Sequence, residues 1–271
     1  MREVVIQRLD NTKKGRVILI SLLIVLSLLG DRLFGFFGGI WGNPINLSIL
    51  YSLFAVLAFF WVLQFKLNLR IVFLTSFHLA LIIFSQILFY QTFLADFFDR
   101  VYETLLLIII LIITFLVSYS AFLTANIFAV SSFKKIPLEA VAKTSIYFIT
   151  VLSIFFLTYG FLSLGMPIWM VILVLLIFYI VYTLLLMSNF FFETRAILSN
   201  SLLIFWNLLL ILIGIILFST GIEFVAFIMA VVFYYVVDLF IEKRQEIAYS
   251  RLIEYFFLII LLVLIIFSYS Y

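Results

Sequence analysis

Thr104–Val130 reads TLLLIIILIITFLVSYSAFLTANIFAV, and its 27 residues include no Asp, Glu, Lys or Arg. A helix on the surface of a soluble domain would turn a polar face to water every few residues. A membrane barrel strand would alternate apolar and polar over about ten residues. This stretch does neither, and it exceeds the roughly 20 apolar residues needed to cross a bilayer. As a helix it would measure about 40 Å, more than the ~30 Å hydrocarbon core, so tilting or emergence of Thr124–Val130 is expected. A second unbroken run, Phe256–Phe267 (FFLIILLVLIIF), has the same character.

The whole chain follows suit. Of 271 residues, 68% are hydrophobic and only 11% charged, with a mean hydropathy of +1.39. A water-soluble fold of this size has too little polar surface to cover so much apolar material. With lipid as solvent, backbone polar groups must pair internally, which leaves helices or closed barrels, and unbroken runs select helices. There are no cysteines, which excludes disulfides, thiolate metal sites and cysteine nucleophiles. A single histidine, His78, excludes two-imidazole zinc sites.

Nine spans are predicted, at about 17–36, 46–65, 71–93, 104–130, 144–164, 167–189, 201–219, 222–241 and 252–270, forming one transmembrane domain, 1–271. Pro44, Pro137 and Pro167 all fall at breaks between them, where a missing N–H costs least. The basic stretch before Val17–Leu29 looks like a signal peptide, but Gly30-Asp31-Arg32 follows in place of a small-residue cleavage site. An uncleaved first span is therefore expected.

Basic residues then orient the bundle. Alternate loops collect Arg2, Arg8, Lys13, Lys14 and Arg16; Lys66 and Arg70; Lys134, Lys135 and Lys143; Arg195; and Lys243, Arg244 and Arg251. That is fourteen of the sixteen, with only Arg32 and Arg100 on the other face. The N-terminus is thus expected in the cytoplasm and the C-terminus outside. Trp41 and Trp169 near outer ends, and Trp61 and Trp206 near inner ends, fit an interfacial aromatic belt. The net charge of +3 reflects this asymmetry and does not point to nucleic acid.

Two features interrupt the regular pattern. Segment 30–44 holds five of the ten glycines and reads as a re-entrant or interfacial piece, or a surface loop. The inner ends of spans six and eight also align, Asn189-Phe-Phe-Phe-Glu193-Thr-Arg195 against Asp238-Leu-Phe-Ile-Glu242-Lys-Arg244, with a fainter echo at Asn126-Ile-Phe128. Spans 4–5, 6–7 and 8–9 could therefore be hairpin repeats, or share only the composition of helix ends.

The candidate functional residues are His78, Gln86, Asn126, Asn189, Glu193, Asp238 and Glu242. His78 lies within the third span, where an ionisable side chain marks a proton relay or substrate contact, or else an interhelical hydrogen bond. Gln86 follows on the same face, and Thr114, Ser118, Ser120, Thr124 and Asn126 make a polar stripe on the fourth span. That stripe suits helix-to-helix bonding or a water-filled cavity. Asp238, Glu242 and Glu246 stack at a helix C-terminus whose dipole disfavours anions, so a counter-charge or a solvated stripe is expected there.

No phosphate loop, nucleophile elbow or mid-span lysine is present, and no span interior contains proline. The sequence therefore leads to an all-α polytopic membrane helix bundle with no expected cofactor or metal and no catalytic role. It would act as a structural, assembly or sensing component in contact with lipid, protein partners or further copies of itself. The alternative is a transporter or lipid flippase with a polar path along His78, Gln86 and the fourth span. The lack of soluble domains and long loops points to a prokaryotic cytoplasmic membrane.

Overall fold

The computed structural model describes residues 2–35, 42–63, 69–95, 100–131, 138–190, 194–217 and 221–242. Among them it is all-helical, with α1 Arg2–Phe34, α2 Pro44–Leu63, α3 Leu69–Ala95, α4 Arg100–Ser131, α5 Glu139–Ser163, α6 Ile168–Phe190, α7 Thr194–Leu217 and α8 Ile222–Glu242. Six helices are long and apolar enough to cross a membrane: the Lys14–Phe34 part of α1, and α2 to α6. Helices also occupy the expected seventh and eighth spans, although the apolar part of α7 is short, Ile204–Ile216. The expected ninth span lies outside the described residues. The chain is a membrane-spanning helical protein.

Local chemistry sets the helix ends. Gly35 stops α1 at a φ of +63°, where its N–H bonds the Asp31 carbonyl at 2.7 Å, and a residue without Cβ takes that conformation freely. Asn43 caps α2: its Oδ1 accepts from the Ile45 N–H at 2.9 Å, and Pro44 occupies the first helical position. The Pro167 carbonyl accepts the first amides of α6, from Met170 at 2.9 Å and Val171 at 3.2 Å. Within segment 30–44, residues 36–41 lie outside the described set, while 31–34 complete α1.

The chain divides into two compact units, Met1–Ile149 and Thr150–Tyr271, with the boundary inside α5. In the first, α2 packs on α3, α3 on α4, and α1 on both α2 and α4. Arg16 meets Trp61 while Ser27 meets Tyr51, so α1 and α2 are antiparallel. Val17, Ile20, Ser21, Ile24 and Leu28 make the buried stripe of α1, whereas Leu19, Leu22, Leu23 and Leu26 are exposed. Leucine faces of that kind are expected where lipid is the solvent. On α2, Ser48, Ala55 and Ala58 lie on the buried side, small residues that allow close approach of a neighbouring helix.

α3 is the innermost helix: 72% of its apolar stretch is buried, against 28% for α1 and 39% for α4. α4 is one continuous helix of 32 residues, about 48 Å long. Leu105, Ile108, Ile109, Ile112, Ile113 and Leu116 are exposed on its first half, whereas no residue from Val117 to Ala129 is. In the second unit, α6 packs on α7 and α7 on α8. Gly165, at a φ of +64°, turns the chain between α5 and α6.

Candidate functional site

Polar side chains inside an apolar bundle bond either their own helix or a neighbour. Ser21, Ser76, Thr124 and Thr183 take the local route, each donating to a carbonyl three or four residues back. Such bonds satisfy the hydroxyl without joining helices.

Gln86 takes the other route. It is buried at 2% exposure on α3, and its Nε2 donates to the Thr114 carbonyl of α4 at 3.0 Å. Its Oε1 accepts from Ser118 Oγ at 3.1 Å. Thr114 is four residues before Ser118, so the Gln86 amide fills the place of the usual back-bond from a serine to its own helix. Both ends of the amide are engaged by α4.

His78 is 2% exposed and shares the first half of α3 with buried Thr75 and Ser76. Gln86 lies eight residues further on, about 12 Å along the axis, so the structure does not bring the two together in one cluster. Asn126, on the enclosed half of α4, has a buried Oδ1 with no hydrogen-bond partner among the described residues. Asp238 is half-buried on α8, one turn beyond Tyr234. Asn189 falls in the last turn of α6 and Glu242 ends α8, but their side chains are outside the described part, as is Glu193 altogether. The proposed match between the inner ends of spans six and eight therefore lies largely outside it too. Among the described residues no group of three or more His, Asp or Glu is placed to hold a metal.

Three tyrosine bonds add to the Gln86 clamp and were not anticipated from sequence. Tyr51 donates to Ser27 Oγ at 2.8 Å, and Ser27 in turn to the Ile24 carbonyl at 2.8 Å, joining α2 to α1. Tyr90 donates to the Leu28 carbonyl at 3.3 Å, joining α3 to α1. In the second unit, Tyr179 of α6 bonds Thr158 of α5, and Phe161 and Phe178 pack with ring centroids 5.6 Å apart. At the start of the apolar part of α1, the Arg16 guanidinium sits over the Trp61 ring, 5.0 Å from its centroid. The sequence signal for all of these is a pair of polar or aromatic residues at matching depth on antiparallel or neighbouring spans.

The chain matches no protein-family model, no curated protein and no solved structure in comparisons with each.

Proposed function

We propose that this protein is a non-catalytic structural, assembly or sensing component of a cell membrane, acting through lipid and protein contacts. Its nine spans would form one transmembrane domain with the N-terminus in the cytoplasm and the C-terminus outside, in a prokaryotic cytoplasmic membrane. One observation carries this reading. Gln86 of α3 is bonded to α4 through both its amide nitrogen and its amide oxygen. Bonding of both amide atoms to the neighbouring helix is what an interhelical joint requires, whereas a residue on a transport path would face a water-filled cavity.

The test is flux in proteoliposomes set against stability. Gln86→Leu and His78→Ala should each lower stability, by roughly 0.5–2 kcal/mol, and leave ion and proton permeability at the level of empty vesicles. A second reading, a transporter or flippase with a path along His78, Gln86 and the α4 polar face, is favoured by the buried Asn126 Oδ1, which has no partner among the described residues. A pH-dependent flux carried by the unsubstituted protein, and abolished by His78→Ala in folded, inserted protein, would replace the first reading with the second.

A further inference from the structure

In the first unit, the last turns of α1, the start of α2 and the last turns of α3 enclose a half-open cavity of about 210 Å³. Asp31 and Arg32 of α1, Leu47 of α2, and Tyr90, Gln91 and Leu94 of α3 line it. Gly35 and Gly42, which bring no side chain, also line it, next to the end of α1 and the start of α2. A water occupies roughly 30 Å³ of liquid, so the space is about seven waters' worth, the size of a group of seven or eight heavy atoms.

We propose that this cavity binds the headgroup of a phospholipid of the phosphoethanolamine class, with the phosphate at Arg32 and the primary ammonium at Asp31. The inference rests on the chain spanning a membrane, and not on which role it plays there.

Position comes first. The cavity opens where three spans end on one face, which is the depth at which lipid headgroups lie. Charge comes next. Among the described lining residues, one guanidinium faces the cavity together with one carboxylate, and a net anion drawn to Arg32 would meet the repulsion of Asp31. The planar guanidinium fork matches phosphate oxygens, and a primary ammonium offers three N–H donors to a carboxylate. A trimethylated ammonium has no N–H donors and is recognised through aromatic faces. Tyr90 is the one aromatic among the described lining residues; it is 2% exposed, and its hydroxyl is committed to the Leu28 carbonyl. The two ethylene carbons of the headgroup would lie against Leu47 and Leu94.

The experiment uses the full chain in nanodiscs with equal parts of phosphatidylethanolamine, phosphatidylcholine and phosphatidylglycerol, and counts the lipids retained by native mass spectrometry. Phosphatidylethanolamine should be retained about tenfold over the other two, the scale of one charge-assisted hydrogen bond. Arg32→Gln and Asp31→Asn should each remove that preference, while Arg16→Gln, at the other end of the apolar part of α1, should keep it. Equal retention of phosphatidylcholine, or preference for phosphatidylglycerol, would overturn the assignment. The lipid series on the unsubstituted protein decides this even where a variant misfolds. In phosphatidylcholine nanodiscs, soluble phosphoethanolamine should leave the melting temperature unchanged. A shift as large as the one phosphatidylethanolamine produces would assign the cavity to a soluble ligand and overturn the lipid.

Discussion

Ser118 on α4 gives its hydroxyl proton to Gln86 on α3 across 3.1 Å, although its own helix offers the Thr114 carbonyl one turn away. That carbonyl receives Gln86 Nε2 instead, so a single amide spans the interface and satisfies both groups. In hydrocarbon such an arrangement joins two helices without leaving a polar atom unpaired. Gln86→Leu frees Ser118 to fall back on Thr114, which limits the loss. A double-mutant cycle of Gln86→Leu with Ser118→Ala, read by unfolding in bicelles, should give a coupling of ~0.6 kcal/mol, at most ~1.7. A coupling of zero would mean that the Ser118–Gln86 bond adds nothing to stability.

Two glycines should respond to alanine with opposite signs. At Gly165 a Cβ would meet nothing within 4 Å, but φ is +64°. Gly165→Ala should therefore destabilise by ~1–2 kcal/mol from the backbone alone, and Gly165→Asn by less. Gly214, inside α7, also has open space around a Cβ and a helical backbone. Gly214→Ala should stabilise by about 0.5–1 kcal/mol. Melting temperatures of the three variants test the ordering.

The long apolar runs made the helices and their lipid setting legible, because an uncharged stretch such as Leu105–Ile113 has few other stable environments. Breaks at Pro44 and Pro167 were legible for the same local reason. The start of α1 at Arg2, well before the first span expected at 17–36, was not: basic and polar residues continue a helix into water without an apolar signal. The contacts of the candidate residues were least legible. Ser118 and Thr124 are similar hydroxyls six residues apart on α4, yet Ser118 bonds α3 and Thr124 bonds the Ser120 carbonyl of its own helix. Which route a hydroxyl takes depends on what the neighbouring helix brings to that depth, as Gln86 does for Ser118.

Orientation is open to a direct test because the chain has no cysteine to remove. Single cysteines placed at Lys135 and Arg244 should react with membrane-impermeant maleimide only after the cytoplasmic face is opened. Cysteines at Asp99 and Tyr271 should react in intact cells. Labelling of both termini from one side would sink the nine-span topology, since an odd number of spans separates them.

Thr158 and Tyr179 make the last test, because the direction of their hydrogen bond can be worked out. Thr158 is fully buried and gives its one hydroxyl proton to the Ile154 carbonyl at 2.6 Å. Its oxygen is then the acceptor, and Tyr179, 2% exposed, is the donor in the bond between them. The two partners are therefore not equivalent. Tyr179→Phe removes the donor and leaves Thr158 still bonded to Ile154, a loss of about 0.5–1.5 kcal/mol. Thr158→Val removes the acceptor and strands a buried phenol hydroxyl, which costs about 1–3 kcal/mol. Thr158→Ser should recover much of that, and Tyr179→Phe added to Thr158→Val should cost little more because no stranded hydroxyl remains. Unfolding of the four variants in one detergent or bicelle system compares them directly. Equal losses for Thr158→Val and Tyr179→Phe would mean that the bond runs the other way or that the hydroxyl finds another partner.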